Sequence, residues 1–313
     1  MGKASRSKVD SSRREKIAAQ RAAARRAEQR RWILISGGSV LVVILIVVGL
    51  IVFKANKGSS TASTSSSSLT GTALTNVVSK ITTVPASTLD SVGSGGGSVS
   101  AKPVTISGTA LTSGGKPEVL YQGAEYCPYC AAERWGMIVA LGRFGTFSGL
   151  ATIHSAAANG AGDAEPYPNT PTWTFVNAHY TSQYLVFSSV EEQTNIPDKA
   201  TGSYTNLQTP TAALTALITK YDAAPYVSAA DAGSIPFVDF GNKYMIVGAS
   251  YTPQVLAGLS WSTIATDLNN PSSAVAKGVD GTANYITAAI CKLTNNQPAS
   301  ACTSTVQSLE GSL

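Results

Sequence analysis

Residues 119–136 of the 313-residue chain read VLYQGAEYCPYCAAERWG, and the elements that they predict define the fold class. Residues 117–124 form a mostly apolar run that predicts a β-strand. Residues 131–145 carry apolar side chains at helical spacing and predict an α-helix. Cys127 and Cys130 stand between these two elements. The stretch therefore predicts a strand, a C-x-x-C loop and a helix in immediate succession.

Further elements follow the same alternation along the chain. Residues 183–190 predict a strand, and residues 209–222 predict a helix with Pro210 in its first turn. Two short strands at 236–240 and 244–248 are joined by Gly241-Asn242-Lys243, which is a hairpin signal. Helices are also predicted at 72–84, 252–268 and 282–293, and residues 93–98 (GSGGGS) predict a flexible joint. The order βαβαββα predicts an α/β domain with a mixed sheet and flanking helices.

The position of the C-x-x-C gives its two cysteines different chemistry. Cys127 at a helix N-terminus meets free backbone N–H groups and the positive end of the helix dipole, which favour thiolate over thiol. Cys130, one turn into the helix, is shielded and is placed to attack a mixed disulfide formed by Cys127. A zinc site would need two further ligands, and neither the Cys291/Cys302 pair nor the scattered His154 and His179 has zinc-site spacing. No metal site is predicted.

The second cysteine pair has a different setting. Cys291 and Cys302 flank the polar segment KLTNNQPASA. In an oxidising compartment this pattern favours a structural disulfide, contributing roughly 2–3 kcal/mol by the loop-entropy estimate. A second redox pair is the alternative.

The basic charge of the chain is concentrated at its start. Eleven of the 23 Lys and Arg residues lie within residues 1–31, and the remaining residues carry a net charge of −3. The pI of about 9.0 therefore reflects one tail. A nucleic-acid-binding domain would carry its basic residues on the folded part, so no nucleic-acid partner is predicted.

An uncharged apolar segment, residues 32–53, follows the tail. Its 22 residues are long enough for a hydrocarbon core of about 30 Å. A cleaved signal peptide would have a shorter apolar core and a small-residue cleavage site, so the segment predicts an uncleaved signal anchor. The positive-inside bias then predicts a cytoplasmic tail (1–31) in contact with anionic lipid, and an extracytoplasmic domain (72–313) after a Ser/Thr-rich linker (54–71).

The strand–C-x-x-C–helix unit, together with SIPFVDFGNKYMIVGAS (234–250) and a last helix, resembles the thioredoxin fold. That resemblance implies a cis peptide at Ile235-Pro236 and a substrate groove shaped by Pro236 and Ile235. More closely, GAEYCPYCAAERW, RFGTF, SIPFVDFGNKY and ANYITAAIC resemble domain-of-unknown-function family 929, whose members are membrane-anchored thioredoxin-like proteins of bacteria and archaea. The family label implies a fold and a location, and no substrate.

The chain departs from the thioredoxin pattern at two places. Thioredoxins bury an acidic residue six positions before the first cysteine, where this chain has Tyr121. Glu125 is the nearest carboxylate in sequence and is a candidate for proton transfer, or an exposed charge at a strand end. Residues 149–233 exceed the thioredoxin spacing, which implies a helical or loop insertion at about 149–182.

Three functions fit these features. The first is a membrane-anchored extracytoplasmic thiol–disulfide oxidoreductase without a cofactor, with Cys127 as nucleophile and Cys130 as resolving thiol. It would act on thiols and disulfides of envelope proteins and exchange electrons with a membrane partner, either a quinone-linked oxidase or an electron donor. The second is a non-catalytic thioredoxin-like binding module. The third is a copper-handling protein that grips a soft ion between Cys127 and Cys130.

Overall fold

A computed structural model describes residues 68–158, 166–198 and 200–313. The predicted tail (1–31) and anchor (32–53), and most of the predicted linker (54–71), lie outside the described residues. Within the described ranges, no helix is both long enough and apolar enough to span a membrane.

The described chain is a mixed α/β domain. Its helices are α1 Gly71–Thr82, α2 Ala86–Val92, α3 Pro128–Gly142, α4 Ala212–Tyr221, α5 Trp261–Asp267, α6 Ala274–Leu293 and α7 Ser304–Glu310, with a 3-10 helix at Pro253–Leu256. Its strands are β1 Val104–Thr105, β2 Thr112–Ser113, β3 Lys116–Gly123, β4 Gly145–Ser148, β5 Ala151–His154, β6 Pro171–Thr174, β7 His179–Ser182, β8 Val186–Glu191, β9 Gln193–Pro197, β10 Tyr204–Asn206, β11 Phe237–Phe240 and β12 Tyr244–Val247.

Strand β3 is the centre of the six-stranded sheet. It pairs in parallel with β8, from Glu118 opposite Val186 to Gly123 opposite Glu191. It pairs antiparallel with β11 on its other side, and β11 continues through the predicted hairpin into β12. Strands β1 and β2 extend the sheet at β12 and at the start of β3. The predicted mixed sheet, with a parallel helix crossover and an antiparallel hairpin, is therefore confirmed.

Helix α3 lies in the interior of the domain. It begins at Pro128. The first residue of a helix donates no intrahelical hydrogen bond, so a proline, which has no backbone N–H, costs nothing here. All its side chains from Cys130 to Leu141 are buried, including Glu133 and Arg134. Helix α6 packs along it, and the close approach places Thr282 against Gly136, where a Cβ would lie 2.6 Å from the threonine methyl group. The domain thus buries the helix that carries the C-x-x-C.

The glycine-rich segment 93–98 is not a free joint. It forms tight turns after α2, and Gly95 packs against α6, where a Cβ on Gly281 would lie 2.8 Å from the Gly95 Cα. The Asn284 side chain of α6 also donates to the Leu89 and Gly93 carbonyl oxygens, at 2.7 and 2.8 Å. The glycines permit backbone contact with α6, a role that composition does not distinguish from flexibility.

Several predicted boundaries were wrong for local reasons. The helix predicted at 252–268 is two elements, because Gly258 adopts a φ of +70° and Ser260 caps a new helix at Trp261. Helix α6 begins at Ala274, earlier than the predicted 282, since Ser273 caps it there. Pro210 precedes the capping Thr211 and is not part of α4.

The described residues of the insertion, which the sequence predicted as helical or loop at about 149–182, form strands. Strand β4 pairs with β7, and β5 pairs with β6, as two small antiparallel sheets. No helix occurs among the described residues of this insertion. These strands are four residues long, too short for period-2 alternation to distinguish them from a loop.

Candidate active site

The C-x-x-C lies where β3 ends and α3 begins, as predicted. Cys127 is the N-cap of α3, and its Sγ accepts the backbone N–H of Cys130 at 3.2 Å. Neither cysteine is in a disulfide; Cys127 is 5% exposed and Cys130 is fully buried. Of the two residues, only Cys127 has any exposed surface.

The surroundings separate the acidities of the two thiols. Burial raises the pKa of Cys127, but hydrogen bonds from the Cys130 side chain and backbone, and the charge of Arg134, outweigh it and lower the net pKa. Burial raises the pKa of Cys130 well above its ordinary value, and the hydrogen bond and charge of Cys127 raise it further. At neutral pH, Cys127 is thus the stronger candidate for a thiolate.

A buried ion pair lies behind the cysteines. Arg134 donates from Nε and Nη2 to the two carboxylate oxygens of Glu191, at 2.8 and 2.6 Å, and both side chains are fully buried. Burial lowers the pKa of Arg134, but the Glu191 carboxylate outweighs it and raises the pKa overall, so the guanidinium stays charged. Its Nη2 also donates to the carbonyl of Ala124 at 2.8 Å. The same carbonyl accepts the backbone N–H of Cys127 at 3.2 Å, so the ion pair also fixes the loop.

Ile235 and Pro236 lie beside the exposed cysteine. The Sγ of Cys127 is 3.8 Å from the carbonyl oxygen of Ile235, 108 residues away in sequence. The peptide bond between Ile235 and Pro236 is cis. Gly248 donates to the Pro236 carbonyl at 2.8 Å, which ties this segment to the end of β12. The structure thus brings together Cys127, Cys130 and Ile235-Pro236, which the sequence placed far apart.

Glu125 and Tyr121 occupy different positions around the loop. Glu125 is half-buried, and its backbone N–H donates to the Gln193 carbonyl at 2.9 Å. Tyr121 is fully buried at the centre of β3. The Tyr121 hydroxyl and the Cys130 sulfur both lie close to Gly123. A Cβ at Gly123 would be 2.1 Å from Tyr121 Oη and 3.0 Å from Cys130 Sγ.

The insertion packs against the loop and the first turn of α3. Ala156 donates from its backbone to the carbonyl of Tyr126 at 2.8 Å. Thr172 of β6 donates from its hydroxyl to the carbonyl of Ala131 at 2.8 Å. The insertion therefore forms one wall beside the cysteines, a placement that sequence spacing did not predict.

The second cysteine pair lies at the end of α6. The sulfur atoms of Cys291 and Cys302 are 1.97 Å apart, at disulfide distance. Both residues are buried in the main hydrophobic core.

Sequence reasoning missed the two residues of the ion pair. Arg134 follows Cys130 by four residues, so helical spacing already placed it on the same side of α3 as Cys130. Glu191 immediately follows the predicted strand 183–190, and only the register of β8 on β3 brings it to the site. Within the described ranges, no group of three or more His, Cys, Asp or Glu residues is arranged to hold a metal ion.

These features define an α/β domain with an unpaired C-x-x-C at the N-terminus of a buried helix. The family model for a domain of unknown function, DUF929, matches residues 102–292. The match covers more than half of the chain, and the chain belongs to this family. Neither the curated proteins nor the solved structures gave a significant match.

Proposed function

We propose that this protein is a thiol–disulfide oxidoreductase, with Cys127 as the nucleophile and Cys130 as the resolving thiol. The observation that carries the proposal is the asymmetry of the pair. Cys127 caps α3, is slightly exposed and has a lowered pKa, whereas Cys130 is fully buried and has a raised one. This combination of a reactive outer thiolate and a protected inner thiol suits two-step disulfide exchange.

The exchange requires no cofactor. In the reducing direction, the Cys127 thiolate attacks a client disulfide, forms a mixed disulfide and releases one client thiolate. The Cys130 sulfur then attacks the Cys127 sulfur, which forms the Cys127–Cys130 disulfide and releases the second client sulfur as a thiol carrying the Cys130 proton. Oxidation of a client dithiol is the same sequence in reverse, and a membrane oxidase or electron donor would restore the starting state.

The proposal includes a thioredoxin-like fold for the domain. The sheet order β8-β3-β11-β12, with β3 and β8 parallel and the hairpin antiparallel, supports it. The helices α3, α4 and α6 follow these strands in the order βαβαββα. By this reading β1, β2, the small sheets of the insertion and the β9–β10 hairpin are additions to the common fold.

The client would bind beside Cys127, along the segment Ile235-Pro236. The Ile235 carbonyl lies 3.8 Å from the reacting sulfur, and an extended client chain would pair with the backbone of this segment. The protein would face the extracytoplasmic side from a single membrane anchor at 32–53, as the uncharged segment and the basic tail before it indicate. Its clients would then be thiols and disulfides of envelope proteins.

A trapping experiment tests the function. The full chain carrying Cys130→Ala, expressed in its host, should accumulate client proteins on Cys127 as mixed disulfides that a reductant releases. The matched control is the double variant Cys127→Ala/Cys130→Ala, which should trap none. If a folded Cys130→Ala protein forms no such adducts, the redox proposal fails; a partner that stays bound to the double variant would instead favour a binding module.

A further inference from the structure

The hydroxyl of Tyr121 is a buried polar group that the exchange steps above do not use. Tyr121 is fully buried, and its hydroxyl has no hydrogen-bond partner among the described residues. Leaving a buried donor unpaired is unfavourable, so a native protein that does so calls for an explanation. The hydroxyl and the sulfur of Cys130 both lie beside Gly123, where a side chain would meet both of them.

The absence of a side chain at Gly123 creates this approach. A Cβ at that position would lie 2.1 Å from Tyr121 Oη, 2.6 Å from Tyr121 Cζ and 3.0 Å from Cys130 Sγ. The φ of Gly123 is not in the left-handed region, so the backbone does not require glycine here. A side chain at this position would instead collide with the Tyr121 hydroxyl and crowd the Cys130 sulfur, so glycine allows both groups to lie close to the β3 backbone.

The ring of Tyr121 is held from two sides. Phe175 packs edge-on against it, with ring centroids 5.2 Å apart. The guanidinium of Arg134 lies 5.7 Å from the ring centroid. With the ring fixed in this way, the direction of the hydroxyl is set by the fold.

The hydroxyl is a donor and not a base. Burial raises the pKa of Tyr121 well above its ordinary value of about 10, and this outweighs the opposing charge of Arg134. Tyr121 therefore stays neutral over the physiological range. It differs in this respect from a buried carboxyl group, which can take up a proton from the thiol.

We propose that the Tyr121 hydroxyl donates a hydrogen bond to the sulfur of Cys130 as that sulfur becomes a thiolate and attacks the mixed disulfide. Tyr121 is thus a positioning residue for the second step of exchange, and the inference rests on the proposed oxidoreductase function. The step stays balanced without any group taking a proton from Tyr121. The Cys130 proton leaves with the released client thiol, and the electron pair of Cys130 forms the new S–S bond.

The charges around Cys130 explain why such a donor matters. Burial of the thiol and then the neighbouring Cys127 disfavour the Cys130 thiolate, while Arg134 favours it. Tyr121 faces the Cys130 thiol from β3, and Glu191 on β8 is paired with Arg134. In the mixed disulfide Cys127 carries no charge, so Arg134 and the Tyr121 hydroxyl remain to stabilise the attacking sulfur.

The test follows the two steps separately in the full-length, reduced protein. The probe is 5,5′-dithiobis(2-nitrobenzoic acid): Cys127 attack releases one thionitrobenzoate, and Cys130 attack on the resulting mixed disulfide releases the second. In Tyr121→Phe the first release should be unchanged, and the second should slow on the order of tenfold, the effect of losing a hydrogen bond to a charged group. The pH at which the second release is half-maximal should also rise.

The matched control is Tyr251→Phe. Tyr251 is also buried, but its hydroxyl donates to the carbonyl of Ala132 at 2.8 Å. This variant should lose stability and keep both releases at wild-type rates. Tyr121→Phe should keep its stability, because its hydroxyl has no protein partner to lose. Gly123→Ala, which fills the shared space, should slow the second release in the same way.

The outcomes separate the two proposals. A wild-type protein without the first release contradicts the oxidoreductase function itself. A normal first release with an unchanged second release in Tyr121→Phe overturns only the role of Tyr121. A Tyr121→Phe protein that fails to fold overturns it too, since the hydroxyl would then have a structural role.

Discussion

Arg134 and Glu191 form a bidentate ion pair with no exposed side-chain surface, joined by bonds of 2.8 and 2.6 Å. The pair links α3 to the end of β8 directly behind the C-x-x-C. Through Ala124 it also holds the loop that carries Cys127. One contact thus connects the stability of the domain to the electrostatics of the candidate nucleophile.

Removing one partner of this pair should destabilise the domain strongly. Glu191→Gln leaves the Arg134 guanidinium buried beside a neutral amide, and we expect a loss of about 3 kcal/mol in the free energy of unfolding. Urea denaturation of the full chain measures it. The surface pair Lys292–Glu310 is the control. Lys292 Nζ lies 3.9 Å from Glu310 Oε2, and the Lys292 side chain is 45% exposed. Lys292→Ala should therefore change the free energy of unfolding by about 1 kcal/mol or less.

The double variant Arg134→Met/Glu191→Leu should separate the contribution of the ion pair to stability from its effect on the pKa of Cys127. Apolar replacement of both partners should recover most of the lost stability. The pKa of Cys127 should nevertheless rise, because the Arg134 charge that lowers it is gone. Equal loss of stability in the single and double variants would contradict this account.

The reactivity of Cys127 should depend on pH in a specific way. Its lowered pKa means that iodoacetamide alkylation should reach half its maximal rate below the value for an ordinary thiol, about 8.5. In Cys130→Ala the midpoint should move upward, since the side-chain hydrogen bond from Cys130 is lost. Mass spectrometry of the alkylated peptide over a pH series measures both midpoints. A wild-type midpoint at or above that of an unfolded peptide would show that the thiolate is not stabilised.

Asp280 should make the stability of the domain pH-dependent. It is buried on α6, neither carboxylate oxygen has a hydrogen-bond partner in the described part of the chain, and burial raises its pKa to about 8. The unfolded chain has a pKa near 3.9 at this residue, so the folded state binds the extra proton. This stabilisation is complete below about pH 4 and is lost as pH rises towards 8, by roughly 1.4 kcal/mol per pH unit.

The neutral isostere Asp280→Asn tests this dependence. Its unfolding free energy, relative to wild type, should increase between pH 5 and 8. Glu133, also buried and with a pKa raised to about 7 by burial, is retained in both proteins and cancels in the comparison. Parallel pH profiles for the two proteins would show that Asp280 titrates normally in the folded state.

The pair Cys291/Cys302 should stabilise the end of α6. Replacing both by Ala opens a loop of sequence separation 11, and we expect a loss of roughly 2–3 kcal/mol in the free energy of unfolding. Denaturation with and without reductant tests whether this stability comes from the disulfide. With Cys127 and Cys130 already reduced in both proteins, further reduction that opens Cys291–Cys302 should destabilise the wild type and leave the double variant unchanged. The first thionitrobenzoate release from Cys127 should be the same in both, which separates this pair from the candidate active site.

Local patterns in the sequence determined the order of the main elements and the position of the C-x-x-C. Residues 117–124 and 131–145 predicted β3 and α3 within three residues, because strand and helix periodicities are properties of neighbouring side chains. The Gly241-Asn242-Lys243 turn predicted the β11–β12 hairpin for the same reason. The charge asymmetry of the tail and the apolar segment after it are likewise readable without coordinates.

The surroundings of the cysteines depend on long-range contacts in the folded domain. Arg134 and Glu191 are 57 residues apart, and their contact depends on the register of β8 against β3. Tyr121 reaches the neighbourhood of Cys130 because Gly123 has no side chain, and the GSGGGS segment is packed because Gly95 meets Gly281. Such contacts follow from how whole elements are placed against one another, whereas sequence periodicity specifies each element only along its own axis. The C-x-x-C and Tyr121 could therefore be found by reading the chain, but the buried ion pair and the closeness of the tyrosine hydroxyl to Cys130 could be found only in the folded protein.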